Sequence, residues 1–216
     1  MRYRLVVFDW DGTVVDSTGL IAECIQLTAA DCGLEVPSTS AAKHIIGLGI
    51  RDSISHLFPT LNAASVERFA ARYREHYVPR DAEVRLYAGI EKVLEALAHR
   101  ERFLGVATGK PRRGLERAFD HSGLRRHFHF TRCADEGWPK PHPDMLEKLM
   151  AFTGVQPAET LMIGDTTHDL KMAAAAKCDA VGVSYGAHPT DWLRTAPHRY
   201  VAHSVEDLNS WLTQHA

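Results

Sequence analysis

Short apolar runs alternate with amphipathic stretches along most of the chain. A strand buried inside a parallel sheet is apolar on both faces, whereas a helix packed on the sheet repeats apolar residues every three or four positions. The alternation of the two patterns predicts an α/β fold with a doubly wound, Rossmann-like parallel sheet. The predicted strands are Leu5 to Phe8, Phe103 to Ala107, Thr160 to Ile163 and Ala180 to Val183, with weaker runs near Phe128 and Tyr200. The predicted helices between them include Ile90 to His99, Leu115 to Ser122, Asp144 to Thr153 and Leu170 to Lys177.

One segment, from Asp16 to about Leu86, breaks the alternation because it contains only helical patterns. A helical block of about 70 residues inserted after the first strand predicts a second, smaller domain, a cap, over residues 16–86. The Rossmann-like core is then discontinuous and consists of residues 1–15 and 87–216. We expect hinges near Asp16 and Leu86.

Two acidic residues stand where the first predicted strand ends. Asp9 and Asp11 follow Leu5 to Phe8, and Gly12 comes directly after them. Ligand sites of open α/β sheets lie at the carboxyl ends of strands, and residues two apart in extended backbone point to the same side. The two carboxylates can therefore face one reacting centre, one as nucleophile or metal ligand and the other as general acid and base. Taken alone, the pattern is equally typical of a solvated Asp-Gly turn.

Three further positions carry groups suited to phosphate and metal. Thr108 opens a helix after the second predicted strand, which suits an oxyanion, although it is also a plain helix cap. Lys140 lies between two prolines that restrict its backbone, as a fixed cation for phosphate would require, although taken alone the pattern is more typical of a surface lysine in a Pro-rich loop. Asp165 and Asp169 follow the Thr160 to Ile163 strand and supply oxygen ligands that suit Mg²⁺. Together these signals are far more specific than any one of them.

With these motifs in this order, and with the helical insertion, essentially the whole chain resembles the haloacid dehalogenase superfamily of phosphohydrolases. The branch it resembles has a small helical cap and includes phosphoglycolate phosphatase-like enzymes. The resemblance implies a Mg²⁺-dependent phosphatase that hydrolyses a small phosphate monoester through an aspartyl-phosphate. The implied catalytic residues are Asp9 as nucleophile, Asp11 as general acid and base, Thr108 as phosphate-binding hydroxyl and Lys140 as charge stabiliser. The implied metal ligands are Asp9, the backbone carbonyl of Asp11, Asp165 and, beside it, Asp169.

Two positions depart from the pattern of the family. Many relatives have Asn after the Thr or Ser of the second motif, whereas this chain has Gly109, which offers phosphate only a backbone N–H and leaves the pocket locally larger. The helix after the fourth motif ends in Lys177-Cys178 rather than Ala-Gly, which removes a Gly cap suited to left-handed backbone. The second departure should change the geometry slightly and the chemistry hardly at all.

Single residues distinguish phosphate ester hydrolysis from the other functions of proteins that share these motifs. Dehalogenases of the superfamily lack the second Asp, so Asp11 favours phosphate chemistry. A phosphomutase carries a cap His at the place that Ile21 occupies here, which favours hydrolysis. A phosphonate-cleaving enzyme needs a lysine in the first cap helix, and Lys43 lies beyond it. A non-catalytic phosphate-binding regulatory protein is the alternative from a different class, and the complete set of catalytic positions argues against it.

The cap loop Gly47-Leu48-Gly49-Ile50-Arg51 is rich in glycine and, by the resemblance, faces the active site. Arg51 is therefore a candidate for binding a carboxylate or a second phosphate of the substrate. The alternative is an Arg51 that pairs locally with Asp52 or Asp81, or that is solvated. Phosphoglycolate, nucleoside monophosphates, sugar phosphates and pyridoxal phosphate all remain open as substrates.

Composition and charge narrow the class of partners. Lys+Arg of 25 against Asp+Glu of 27 gives a net charge of -2, so no basic excess exists to bind nucleic acid or anionic lipid. The 4 cysteines form no Cys-x-x-Cys pair, which favours reduced thiols over a zinc site or disulfides. The first apolar run is too short for a signal peptide or a membrane span. We expect a cytoplasmic monomer or weak homodimer that acts on a small-molecule phosphate ester, with no nucleic-acid or membrane partner.

Overall fold

The computed structural model of the chain describes residues 2–216 and contains a parallel sheet with helices on both faces. Its strands are β1 (Leu5–Phe8), β2 (Val15–Asp16), β3 (Arg85–Leu86), β4 (Phe103–Thr108), β5 (Phe130–Cys133), β6 (Thr160–Gly164), β7 (Asp179–Val183) and β8 (Tyr200–Ala202). The six-stranded sheet has the order β5-β4-β1-β6-β7-β8, and all its pairings are parallel. The predicted doubly wound α/β class is confirmed, and the weak run near Phe128 forms a strand two residues further along.

The helices follow the strands as the pattern predicts. They are α1 (Thr18–Asp31), α2 (Thr39–His44), α3 (Ile50–Leu57), α4 (Ala63–Tyr77), α5 (Ile90–Ala98), α6 (Arg112–Ser122), α7 (Asp144–Thr153), α8 (Thr167–Ala175), α9 (Thr190–Leu193) and α10 (Val205–His215). Within residues 2–216, none of them combines the length and the apolar character needed to cross a membrane.

The central strand β1 is buried on both faces. Val6 and Phe8 belong to a core covered by α5, α6 and α10, while Leu5 and Val7 belong to a second core covered by α7 and α8. Successive side chains of a strand point to opposite faces, so a strand between two helical layers must be apolar at every position. Burial of β1 between both cores fixes the position of the residues that directly follow it.

The helices α1 to α4 surround a third core, which contains Ile25, Ile54 and Phe69. The short strands β2 and β3 pair antiparallel at the two ends of this helical segment, so the segment does not consist of helices alone. The predicted hinges at Asp16 and Leu86 fall on these two strands. The division into a core and a cap domain stays a prediction, and we call the helical segment the cap below.

The end of α8 differs from the expectation. Lys177 adopts φ +59°, so the left-handed position is kept although no glycine occupies it. A non-glycine residue in this region is strained because its Cβ crowds the backbone. The departure at Lys177-Cys178 therefore has a cost in stability.

Candidate active site

Three of the predicted residues lie at the carboxyl ends of three adjacent strands, at one edge of the sheet. Phe8 of β1 is in register with Val106 of β4 and with Ile163 of β6. Asp9 directly follows β1, Thr108 ends β4, and Asp165 directly follows β6, and all three are buried. The parallel register alone thus brings together residues that are far apart in the sequence.

Lys140 reaches this edge from the loop before α7. Its side chain is fully buried, and its Nζ lies 2.7 Å from Oδ1 of Asp9 and 2.6 Å from Oδ1 of Asp169. Burial lowers the pKa of Lys140, but the carboxylates of Asp169 and Asp9 outweigh burial and raise it above its usual value. The lysine is therefore a fixed cation between two acids, rather than the alternative of a loop cation in solvent.

The acidic residues Asp9, Asp165 and Asp169 form a buried cluster in which each offers an oxygen within 4.8 Å of the others. Burial and the neighbouring charge of Asp169 raise the pKa of Asp9 to about 7, against the opposing effect of Lys140. Burial, Asp9 and Asp169 likewise raise the pKa of Asp165 well above its usual value. Within residues 2–216, Oδ2 of Asp9 is buried and accepts no hydrogen bond. Crowded carboxylates with a free, buried oxygen fit a hard divalent cation such as Mg²⁺.

Hydrogen bonds fix the orientation of the outer carboxylates. Thr13 donates to Oδ1 of Asp165 over 3.1 Å, and the backbone N–H of Ala187 donates to Oδ2 over 2.7 Å. Asp169 closes a capping box with Thr166 at the start of α8, where both the hydroxyl and the N–H of Thr166 donate to it. Sequence reasoning missed Thr13 and Ala187, because each reaches Asp165 only through the folded loops.

The carboxylate of Asp11 has a different surrounding from that of Asp9. Ser17 donates a hydrogen bond of 2.6 Å to Oδ1 of Asp11, and Nζ of Lys110 lies 3.1 Å from the same oxygen. Lys110 also donates to the hydroxyl of Tyr77 in the cap over 2.9 Å. The side chain of Asp11 therefore lies outside the cluster of three carboxylates. Lys110 stands in the second motif, but its sequence position did not indicate a contact with Asp11.

Thr108 and Gly109 form the junction between the core and the cap. The Thr108 hydroxyl accepts a hydrogen bond of 3.1 Å from the backbone N–H of Lys110. A Cβ on Gly109 would lie 2.6 Å from the carbonyl oxygen of Leu48 and 2.7 Å from that of Gly47. The cap loop thus fills the space beside Gly109, and the expectation of a locally larger pocket is wrong.

The remaining candidate, Arg51, lies on the exposed side of the cap. Its side chain is 70% exposed and forms a two-pronged ion pair with Glu67 on α4. Neither of the predicted local partners, Asp52 and Asp81, is used. The glycine-rich loop does face the core, as Gly49 lies against Pro139, but the structure does not bring Arg51 to the site with the other residues.

Asp9 and Asp11 open into a cavity of about 610 Å³ between the cap and the core. Residues of the cap and of the loop after β4 complete its walls. Its volume is in the range of pockets that hold small-molecule ligands. The acidic edge of the sheet is thus the floor of a ligand-sized space.

Comparison with known proteins agrees with this geometry. The chain is 31% identical over 210 residues to Probable phosphatase IndB of Dickeya dadantii, covering 94% of this chain and 91% of that protein. It is 29% identical over 217 residues to a 5'-nucleotidase of Pseudomonas aeruginosa, covering 100% and 98%. The crystal structure of a predicted phosphatase from Clostridium acetobutylicum has the same fold, with a TM-score of 0.89 at 24% identity over 99% of this chain and 100% of that one.

The model of one family, described as haloacid dehalogenase-like hydrolase, matches residues 6–183. That segment includes the strand-end residues Asp9, Thr108 and Asp165 as well as Lys140. The resemblance inferred from the motifs is confirmed, and the chain belongs to the haloacid dehalogenase-like hydrolases.

Proposed function

We propose that the protein is a Mg²⁺-dependent phosphatase that cleaves a small phosphate monoester through an aspartyl-phosphate on Asp9. The observation that carries the proposal is the burial of Asp9 at the end of β1, paired with Lys140 and clustered with Asp165 and Asp169. In this arrangement the proposed nucleophile, Asp9, lies among the proposed metal ligands. The lysine supplies a fixed positive charge beside them. Such preorganised charge accounts for most of the catalysis of phosphoryl transfer.

Asp9 attacks the phosphorus, and the bond from phosphorus to the ester oxygen breaks. Asp11 gives its proton to that oxygen as the alcohol leaves, then takes a proton from the water that attacks the aspartyl-phosphate and frees Asp9. Oδ1 of Asp11 is held by Ser17 and Lys110, so Oδ2 is the oxygen that exchanges the proton. Lys140 and the Thr108 hydroxyl face the charge on the transferring phosphoryl oxygens.

Asp9, Asp165 and Asp169, with the backbone carbonyl of Asp11, would hold Mg²⁺. Bound there, the ion neutralises the charge of the phosphate and of the surrounding carboxylates. Hydrolysis is favoured over a phosphomutase reaction, because Ile21 lines the cavity at the position where a mutase carries its cap histidine. An isoleucine side chain cannot shuttle a proton between two hydroxyls of a sugar.

The test of the proposal is p-nitrophenyl phosphate turnover in Mg²⁺ and in excess EDTA, for the parent and for Asp9→Asn. We expect turnover in Mg²⁺ for the parent, background rates in EDTA, and background rates for the variant under both conditions. Full parent activity in EDTA would contradict the metal requirement. Ordinary turnover by Asp9→Asn would contradict the nucleophile.

A further inference from the structure

The cavity above Asp9 has walls that are mostly aliphatic or aromatic. The apolar lining comes from α1, from residues 45–50 between α2 and the start of α3, and from α4, and it includes Ile21, Ile25, Ile45, Ile46, Leu48 and Ile50. The rings of Tyr73 and Tyr77, stacked with centroids 5.6 Å apart, add a flat wall. Such a surface binds apolar groups by excluding water and offers little to a hydroxylated ligand.

The polar side chains of the lining are largely engaged within the protein. The Ser53 hydroxyl donates to the carbonyl of Ile45 over 3.1 Å, and Lys110 is shared between Asp11 and Tyr77. Arg117 pairs with Asp81 at 2.7 Å. These groups are paired within the protein, so they are not free to recognise the body of a substrate.

Three polar side chains of the lining remain without such partners among residues 2–216. The Tyr73 hydroxyl has no hydrogen bond, and Arg74 and Arg113 are in no ion pair. Both arginines are exposed, so their charge lies on the solvent side of the cavity. Among the lining residues that the structure describes, Tyr73 thus has the one side-chain hydroxyl without a partner, and Arg74 and Arg113 offer charge only toward solvent.

We propose that the leaving group of the substrate is a bulky, largely apolar alkyl or aryl group. The inference rests on the proposed phosphatase function, because it concerns the same cavity. A sugar would lose the water around several hydroxyls and regain few hydrogen bonds. A two-carbon acid would leave most of the 610 Å³ to water, since one water takes about 30 Å³ in the liquid.

The experiment compares kcat/KM for methyl, butyl and hexyl phosphate with that for glucose 6-phosphate and 2-phosphoglycolate. The primary alcohols of the alkyl series are similar leaving groups, so differences among them report binding rather than chemistry. We expect kcat/KM to rise along the series, by roughly threefold to fourfold for each methylene that is fully buried. Hexyl phosphate should also exceed both the sugar phosphate and phosphoglycolate.

Two serine substitutions provide a matched pair for the same series. Leu48→Ser places a hydroxyl in the cavity wall, whereas Leu27→Ser makes the same change at an exposed position of α1 outside the lining. The ratio of hexyl to methyl phosphate kcat/KM should fall at least fivefold in Leu48→Ser and stay at the parent value in Leu27→Ser. Ile50→Ser, at a second half-buried wall position, should repeat the fall, and thermal unfolding confirms that each variant is folded.

The outcomes separate the inference from the function on which it rests. A flat or falling alkyl series, or a higher kcat/KM for glucose 6-phosphate or phosphoglycolate, overturns the apolar leaving group while the phosphatase function stands. Equal ratios in Leu48→Ser and Leu27→Ser also overturn it. Absence of turnover for every ester, p-nitrophenyl phosphate included, contradicts the phosphatase function and the inference together.

Discussion

At the scale of single residues, the site depends on one lysine placed among carboxylates. Lys140 is buried within 2.7 Å of both Asp9 and Asp169, so its charge is offset by two carboxylates. A buried cation of this kind is costly unless it is paired. Its position fits the proposed role of stabilising charge on the phosphoryl group.

Lys140→Ala should lower kcat/KM by a factor of 100 or more, which corresponds to about 3 kcal/mol for loss of one preorganised charge-stabilising group. The matched control is Lys148→Ala, on an exposed position of α7, which should keep parental kinetics. Both variants are assayed in Mg²⁺ with thermal unfolding measured alongside. Activity of Lys140→Ala within a few-fold of the parent would reduce the lysine to a structural cation.

Asp9 and Asp11 carry the same side chain but lie in different surroundings, so their substitutions should differ. Asp9→Asn removes the proposed nucleophile and should abolish turnover of every ester. Asp11→Asn keeps the nucleophile but cannot protonate the leaving alcohol, so the loss should be smaller for p-nitrophenyl phosphate than for an alkyl phosphate. The measurement is the ratio of the two turnover rates in the parent and in Asp11→Asn, and a constant ratio would contradict the assignment of Asp11.

At the scale of elements, the sequence predicted strands and motifs better than contacts between segments. Apolar runs fix β1, β4 and β6, so the residues at their ends could be located without a structure. The contacts of Lys110 with Asp11 and Tyr77 could not be predicted from the sequence, because they join residues from three separate segments. The side-chain position of Arg51 could not be predicted for a related reason: glycines indicate where its loop lies, but the ion pair with Glu67 on another helix appears only in the fold.

The left-handed residue after α8 allows a stability test at this scale. Lys177→Gly should raise the free energy of unfolding by about 1 kcal/mol, because glycine adopts φ +59° without crowding from Cβ. Gly154→Ala, at a φ of +68° with open space around the position, should lower it by a similar amount. Urea unfolding measures both changes. No gain from Lys177→Gly would show that the lysine is held there without strain.

Gly109 provides a second test, because the cap loop lies directly on it. Gly109→Ala places a Cβ within 2.6 Å of the Leu48 carbonyl oxygen, so the loop must move away from the core. We expect at least a tenfold loss of kcat/KM if, as we propose, the cap loop helps to exclude water from the site. Gly19→Ala, where nothing lies within 4 Å of the added Cβ, is the control and should retain parental activity. Equal activity of both variants would show that the close approach is dispensable.

At the scale of the whole molecule, histidines join the cap to the core. The backbone carbonyl of His44 in α2 accepts hydrogen bonds from Nε2 of His168 at 3.1 Å and from Nε2 of His188 at 3.0 Å. Burial lowers the pKa of His188 to about 4, and burial also lowers the pKa values of His168 and His44. The folded protein therefore favours neutral rings where the cap meets the core.

The pH dependence follows from these lowered pKa values. The unfolded chain binds protons on these histidines near pH 6.5, whereas folded His188 does so only near pH 4, so stability is lost as the pH falls between those values. The Tm should fall across this window, and it should fall less in His188→Gln, which cannot titrate but keeps an N–H donor. An unchanged pH dependence in His188→Gln would exclude His188 as a contributor.

The central claim is that Asp9 becomes phosphorylated during turnover. In Asp11→Asn with p-nitrophenyl phosphate, the leaving group departs without an acid but the attacking water lacks its base, so the phosphoryl-enzyme should accumulate. Rapid acid quench followed by peptide mass spectrometry should find one phosphoryl group on the peptide that contains Asp9, and none in Asp9→Asn. A protein that turns over the ester with no phosphoryl group on Asp9, or with one on another residue, would contradict the account.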